Sequence, residues 1–151
     1  MLEFVGARRL IWVKRPDREP KIPADFDLTS SLHGDVLVVA FMGASNDSNA
    51  EAMTRRYFEL VLASGRGKVL ADVRQLRGRL TSAGTFFLVR NLPVERVPRG
   101  IRTAIVEAAE NREFASFLET TAANAGVHFR CFFDYDAALA WLESPAPAPD
   151  R

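Results

Sequence analysis

The sequence predicts an α/β domain built on a mixed sheet of about five strands, with about four helices. Its 151 residues are enough for one hydrophobic core. The composition, 48% hydrophobic and 26% charged with 20 basic against 19 acidic residues, is typical of a folded domain and excludes a strongly basic nucleic-acid scaffold. Apolar residues recur alternately at strand and helix spacing along the chain, which indicates strands joined by crossover helices.

The chain's first predicted pair of strands lies on either side of residues 33–35 and forms an antiparallel hairpin. The second strand, residues 36–41, is apolar throughout and is therefore expected to be buried on both faces. Ser48 followed by Glu51 predicts a capping box at a helix start, and Gly65 predicts a left-handed helix end.

The remaining elements alternate between strands and helices. Residues 68–73 form the next predicted strand, and a helix over 80–91 begins at Thr81 or Ser82. After these we expect a strand at 101–106, a helix with one apolar face (Phe114, Phe117, Leu118, Thr121, Ala122 and Ala125), a strand at 127–133, and a helix capped by Asp134 or Asp136. The order β-β-α-β-α-β-α-β-α places an N-terminal hairpin at the edge of an otherwise parallel sheet.

Residues 1–25 are expected to be an N-terminal extension with a proline-rich connector, 26–143 the domain, and 144–151 a flexible Pro-Ala tail. Within the extension, the apolar segment 10–13 is predicted to form an extra edge strand or to support self-association as a homodimer. The longest apolar run, residues 36–42, is far shorter than the roughly 20 residues of a membrane helix, and the N-terminus does not resemble a signal peptide. We therefore expect a cytoplasmic protein with no membrane span.

The sequence offers no catalytic set, metal site or cofactor motif. A single cysteine, Cys131, excludes an internal disulfide and a multi-cysteine metal site. In a strand, His128 and Cys131 would point to opposite faces, leaving Cys131 as an unreactive core thiol. The GRGK segment at 65–68 lacks the spacing of a phosphate loop, since Leu62 and Val69 stand where Gly and Ser or Thr are needed. We accordingly predict no enzymatic activity.

Polar side chains are expected at the sheet edge where the parallel strands end, which is the usual binding edge of open α/β sheets. They are Ser45, Asn46, Asp47, Asp72, Arg74, Glu107, Asn111, Asp134 and Asp136. Carboxylates there could hold Mg²⁺. The simpler interpretation, which we favour, is that they are helix caps and turn residues.

Charge is distributed unevenly along the chain. Residues 65–102 contain nine basic and two acidic side chains, whereas the chain from residue 103 onward contains three basic and eight acidic ones. The basic segment could contact an acidic partner through its arginines. We favour the alternative that the two segments pair with each other or form a solvated surface. Aromatic residues do not alternate with these arginines as a base-stacking surface requires, so no nucleic-acid partner is expected.

Four short segments carry a family resemblance. They are the strand that ends in Gly43, Lys68-Val69-Leu70 leading to Asp72, Thr81-Ser82-Ala83-Gly84 at a helix start, and Phe133-Asp134 through Ala138-Leu139-Ala140-Trp141-Leu142. Together they resemble the STAS family, and the last segment is most similar to its SpoIIAA-like branch, which includes relatives of the anti-sigma-factor antagonists. The resemblance implies a SpoIIAA-like mixed sheet and a non-enzymatic signalling domain.

The resemblance also implies a site at the second helix. Anti-sigma-factor antagonists carry Asp-Ser-Ser-Gly there, and a partner kinase phosphorylates the first serine. Ser82 stands in that place, while Thr81 replaces the aspartate and Ala83 the second serine; a plain N-cap role is the simpler interpretation of Ser82. The implied partner is a kinase-like or sigma-regulatory protein, and the implied contact rim is Asp72, Arg74, Arg77, Arg79, Thr81 and Gly84.

A second function is left open by the same resemblance. Some SpoIIAA-like relatives are linked to lipid binding of the CRAL-TRIO type. The 11 phenylalanines of this chain would permit an apolar pocket, although a packed core would also account for them. The alternative to a protein-binding adaptor is therefore a carrier of a small ligand or lipid.

Overall fold

A computed structural model of the protein describes residues 2–5, 9–12 and 25–145. The strands are β1 (Leu2–Val5), β2 (Arg9–Trp12), β3 (Phe26–His33), β4 (Val36–Ala44), β5 (Lys68–Arg77), β6 (Arg102–Val106) and β7 (Arg130–Phe132). The helices are α1 (Ala50–Ser64), α2 (Ser82–Arg90), α3 (Arg112–Asn124) and α4 (Tyr135–Glu143), with short 3₁₀ turns at Val94–Arg96 and Ala109–Asn111. Within these ranges, none of the helices has the length and apolar character needed to cross a membrane.

Five of the strands form one mixed sheet in the order β3-β4-β5-β6-β7. The hairpin of β3 and β4 is antiparallel, and each later strand joins its neighbour in parallel. This arrangement confirms the predicted fold class, including the hairpin at the sheet edge and the helical crossovers. Strands β1 and β2 form a separate two-stranded antiparallel sheet.

Strand β4 lies at the centre of the core because both of its faces are apolar. Val36 and Val38 pack with α4 on one face of the sheet. Leu37 and Val39 face the opposite side, where they pack with residues of α1. Val36 and Val39 have no solvent exposure at all, as the unbroken apolar run predicts.

The predicted capping box at α1 is wrong. The helix begins after Asn49, whose side chain caps no helical amide. Asn46 and Asn49 instead exchange hydrogen bonds, each backbone N–H donating to the other's Oδ1 at 3.0 Å, while Asn49 Nδ2 donates to the Ala44 carbonyl at 2.8 Å. An amide both donates and accepts, so this pair closes the turn that Ser48 and Glu51 were expected to close.

Several strand boundaries also differ from prediction, among them those of β5 and β7. Strand β7 begins at Arg130 rather than at residue 127, because the Val127 amide donates to Ala122 and continues the end of α3. Strand β5 extends to Arg77, so Asp72 and Arg74, which were expected just after the strand, lie within it.

The N-terminal extension is described only in part. Residues 10–12 belong to β2, which pairs with β1 and is not an edge strand of the main sheet. Residue 13, the connector up to residue 24, and the tail from residue 146 lie outside the described residues.

Candidate functional site

Thr81 is the N-cap residue of helix α2. Its extended backbone places Oγ1 within 3.0 Å of the Gly84 amide, which donates to it. Ser82 is the first helical residue and is exposed. The prediction that a cap lies at residue 81 or 82 is therefore met by Thr81, and the N-cap interpretation of Ser82 is wrong, because its hydroxyl lies one residue too far along the chain.

A carboxylate from another part of the chain holds the start of α2. The Thr81 amide donates to Asp47 Oδ1 at 3.0 Å, and Thr81 Oγ1 donates to Asp47 Oδ2 at 2.5 Å. A Cβ atom at Gly84 would overlap this carboxylate, so the glycine allows the close approach. The sequence places Asp47 at the end of β4, but its contact with α2, across 34 residues, is visible only in the fold.

A buried ion pair lies beneath the same helix. Arg79 Nε donates to Glu107 Oε2 at 2.8 Å, and Arg79 Nη2 donates to Glu107 Oε1. The two side chains are only 10% and 2% exposed. Arg79 also donates to three backbone carbonyls, those of Val73, Leu76 and Gly78. Arg79 therefore makes internal contacts. Through it, the basic segment at residues 65–102 pairs with Glu107 of the acidic segment that follows.

Asp72 and Arg74 form a second, separate group. Arg74 donates to both carboxylate oxygens of Asp72, Nε at 2.9 Å and Nη2 at 2.8 Å. Burial raises the pKa of Asp72, but the hydrogen bonds and charge of Arg74 outweigh it, and the net effect lowers that pKa. The Arg74 guanidinium lies 5.5 Å from the centre of the Tyr135 ring at the start of α4.

The sheet separates the two groups. Strand alternation places Asp72 on the face that carries Leu70, which packs with α4, and Arg74 lies on that same side because it binds Asp72 and contacts the Tyr135 ring. Val73, whose carbonyl accepts from Arg79, has its side chain on the opposite face with α1. The predicted rim is therefore two clusters rather than one. Arg77 is exposed, and its carbonyl accepts from the Ser45 amide at 2.7 Å.

The outward side of α2 is unusually apolar. Phe86 and Phe87 are 51% and 66% exposed, and the Arg90 guanidinium lies 5.4 Å from the centre of the Phe86 ring. Ser82 lies one turn before Phe86. We call these four residues the α2 outer surface. The sequence left the phenylalanines open between an apolar pocket and a packed core, which are both interior positions, so their exposure on α2 was not predicted.

A cavity of about 550 Å³ lies under the inward side of α2. Its walls come from the sheet and from α1, α2 and α3, and they are mainly apolar: Phe41, Met53, Val73, Leu88, Ile105 and Phe114 are among them. Arg79 and Glu107 also border it. The volume falls within the range of small-molecule sites.

His128 and Cys131 border the same cavity, contrary to the prediction that they face opposite sides. The reason is that His128 precedes β7 and does not follow strand alternation. Burial, with the carboxylates of Glu119 and Glu107, raises the pKa of Cys131 from 9.0 to about 12. The thiol is therefore protonated at neutral pH, as an unreactive core cysteine should be.

The rim carboxylates do not converge on one point. Among the described residues, no three His, Cys, Asp or Glu side chains lie close enough together to hold a metal ion. Asp134 is instead the N-cap of α4, where it accepts from the amides of Asp136 and Ala137. The interpretation of these residues as caps and turn formers fits Asp134 and Asn46, whereas Asp47 makes a long-range contact with the start of α2.

Comparison with known proteins shows a likeness of fold. No family model matches the chain, and no curated protein matches it. The structure of an anti-sigma factor antagonist from Mycobacterium paratuberculosis is similar with a TM-score of 0.57 at 17% identity, over 87% of this chain and 100% of that one. An uncharacterised DUF3478 protein with a SpoIIAA-like fold from Shewanella loihica PV-4 gives 0.48 at 24% identity, over 78% and 93% of the two chains. This chain therefore has the STAS fold of anti-sigma factor antagonists, which confirms the resemblance of its motifs at the level of fold.

Proposed function

We propose that this protein is a non-enzymatic regulatory adaptor of the cytoplasm that binds a protein partner through the α2 outer surface. The observation that carries the proposal is the exposure of Phe86 and Phe87 side by side on a helix. Large exposed aromatic side chains are costly in water and are the usual anchors of protein interfaces. The likeness of the fold to an anti-sigma factor antagonist supports a partner of kinase-like or sigma-regulatory type.

Phosphorylation of Ser82 would switch this surface. The residue is exposed at the first position of α2, where free amides and the helix dipole favour an anion. A phosphate there adds about two negative charges beside Thr81, which already holds the Asp47 carboxylate. Phosphate and carboxylate would repel each other, so modification would loosen the contact between Asp47 and α2 and change the shape presented to the partner.

The partner is best sought with a tagged chain purified gently from its own cells and analysed by quantitative proteomics. We expect a stoichiometric protein that the Phe86→Ser/Phe87→Ser variant no longer captures. Phe117→Ser is the matched control, because Phe117 is a phenylalanine 40% exposed on α3. Equal capture by the wild type and both variants would contradict the proposed surface.

The switch needs its own comparison. Ser82→Asp and Ser82→Ala should change the amount of the same protein that is captured in opposite directions, one raising it and the other lowering it. If both variants capture as much partner as the wild type, Ser82 is not a switch, although the α2 outer surface could still be the binding site.

The cavity under α2 favours a second candidate function, the carriage of a small apolar ligand or lipid. The walls are mainly apolar and their volume suits such a molecule. Native mass spectrometry of the freshly purified chain tests it. An adduct lost in an Ile105→Trp variant, which would fill the cavity, supports the carrier; an unmodified mass for the wild type contradicts it.

A further inference from the structure

The two edges of the main sheet are built differently. At one edge, β7 has only three residues and begins with an exposed arginine, Arg130, which is the usual protection of an edge strand. At the other edge, β3 runs for eight residues, Phe26–His33, and contains neither lysine nor proline. Within the described residues, β3 pairs only with β4. Alternate N–H and C=O groups along its outer side therefore face no other strand in the part of the chain that the structure describes.

One apolar side chain on the β3 edge, Leu32, is exposed to solvent. Leu28 is buried at 6% exposure, whereas Leu32 is 54% exposed. Strand alternation puts Leu28, Ser30 and Leu32 on the same face of the sheet, and Asp27 and His33 on the other.

We propose that β3 pairs antiparallel with β3 of a second copy of this chain, about a two-fold axis at Ser30. In a two-fold pair, residues directly opposite must lie on the same face of the sheet, so the sum of their numbers is even. Registers centred on Thr29 and on Ser30 are the two that use seven residues of the strand.

The side chains favour the register centred on Ser30. There, Leu32 lies opposite Leu28 of the second copy, and Asp27 lies opposite His33 of the second copy. The first contact covers the exposed Leu32 side chain with Leu28, which is already buried. In the second contact, an imidazole N–H of His33 donates to the Asp27 carboxylate. Because the axis repeats each contact, four favourable cross-strand pairs form. The register centred on Thr29 would also cover Leu32, with Phe26 of the second copy, but it places Asp27 opposite Ser31 and Leu28 opposite Ser30, so it forms only two favourable pairs and none between Asp27 and His33.

The dimer would join two five-stranded sheets into one continuous ten-stranded sheet. Such an edge is also a template for uncontrolled pairing, and closed two-fold pairing removes it. This inference does not depend on the α2 outer surface or on the identity of its partner.

The first test is sedimentation equilibrium on the full-length wild-type chain and two variants up to about 0.1 mM. We expect a wild-type dimer that Leu32→Glu weakens by about tenfold or more, since each substitution acts twice in the pair. Leu62→Glu is the matched control, because Leu62 is 43% exposed on α1, and it should leave the dimer unchanged.

The second test reads the register. Under mild oxidation Ser30→Cys should form a disulfide-linked dimer, since the two residues at position 30 would lie about 5 Å apart between Cα atoms. Ser31→Cys should not, because its partner across the axis would be residue 29. Both residues are exposed, so neither change should disturb folding. The wild type, with only Cys131, controls for linkage through that thiol.

Three outcomes of these two tests would overturn the proposal, and a fourth comes from an additional variant, Leu10→Glu. They are a monomeric wild-type chain at the highest concentration, equal association of the Leu32→Glu and Leu62→Glu variants, and cross-linking of Ser31→Cys as fast as Ser30→Cys. A dimer lost on Leu10→Glu but kept on Leu32→Glu would also overturn it, and would assign self-association to the N-terminal segment instead.

Discussion

Removing the charge of Glu107 is predicted to destabilise the protein strongly. In Glu107→Gln, the side chain keeps its size, but the Arg79 guanidinium, only 10% exposed, loses its counter-charge. At least one of its two charge-assisted hydrogen bonds must go, because the amide NH₂ donates where a carboxylate oxygen accepted. Breaking a buried pair from one side costs about 3–5 kcal/mol, which is a large part of the roughly 5–15 kcal/mol that stabilises a domain.

Urea unfolding followed by circular dichroism measures this loss. Glu51→Gln is the control, because Glu51 pairs with Arg55 at 3.3 Å with both side chains more than half exposed; its cost should stay below about 1 kcal/mol. The double variant Arg79→Met/Glu107→Gln should cost less than the sum of its two single changes, since it leaves no unpaired charge. A cost for Glu107→Gln no larger than that for Glu51→Gln would refute the reasoning.

Three further predictions follow from local contacts. Gly84→Ala should displace the Asp47 carboxylate and therefore give little or no net stabilisation of the folded state. In an Asp47→Ser background the same change should stabilise the protein by up to about 1 kcal/mol, because alanine has the higher helix propensity. Equal effects in the two backgrounds would contradict the contact between Asp47 and the start of α2. Burial raises the pKa of Cys131 from 9.0 and of Tyr57 from 10.0, each to about 12, so at alkaline pH the folded state holds protons that the unfolded state releases. The free energy of unfolding should therefore be insensitive to these two groups below about pH 9 and fall as pH rises toward 12. Urea unfolding of a Cys131→Ser/Tyr57→Phe variant tests this, and an unchanged alkaline slope would exclude this origin. At pH 8 the native Cys131 thiol should react with a disulfide reagent at least about a hundredfold more slowly than in urea, and comparable rates would show that it is not held protonated.

Much of the fold was predictable because its signals are local. The apolar run at 36–41 defines a strand buried on both faces, and the helix that follows ends at Gly65, whose φ of 66° is the left-handed conformation that glycine favours. The errors are also local: a pair of asparagines replaced the expected capping box, and the end of α3 took over the first residues of the predicted last strand. In both places two local patterns competed, and the sequence did not rank them.

The candidate site was predictable only in outline. The motif at 81–84 locates the start of α2, but the carboxylate that holds it comes from 34 residues away. Exposure of Phe86 and Phe87 was missed because phenylalanine is usually a core residue, and the helix contributes its other face, with Thr85 and Val89, to the interior.

The sequence by itself determined the order of strands and helices from residue 26 to residue 143, since the periodicity and the end signals of each element depend on neighbours within a few residues. Only the tertiary structure decided which arginines are exposed and which are buried in an ion pair. Arg77 and Arg79 stand two residues apart, yet the first is exposed and the second is buried against Glu107, 28 residues away. The side of the sheet on which a charge lies, and the partner it meets there, depend on contacts between segments distant in the chain, which no local pattern records.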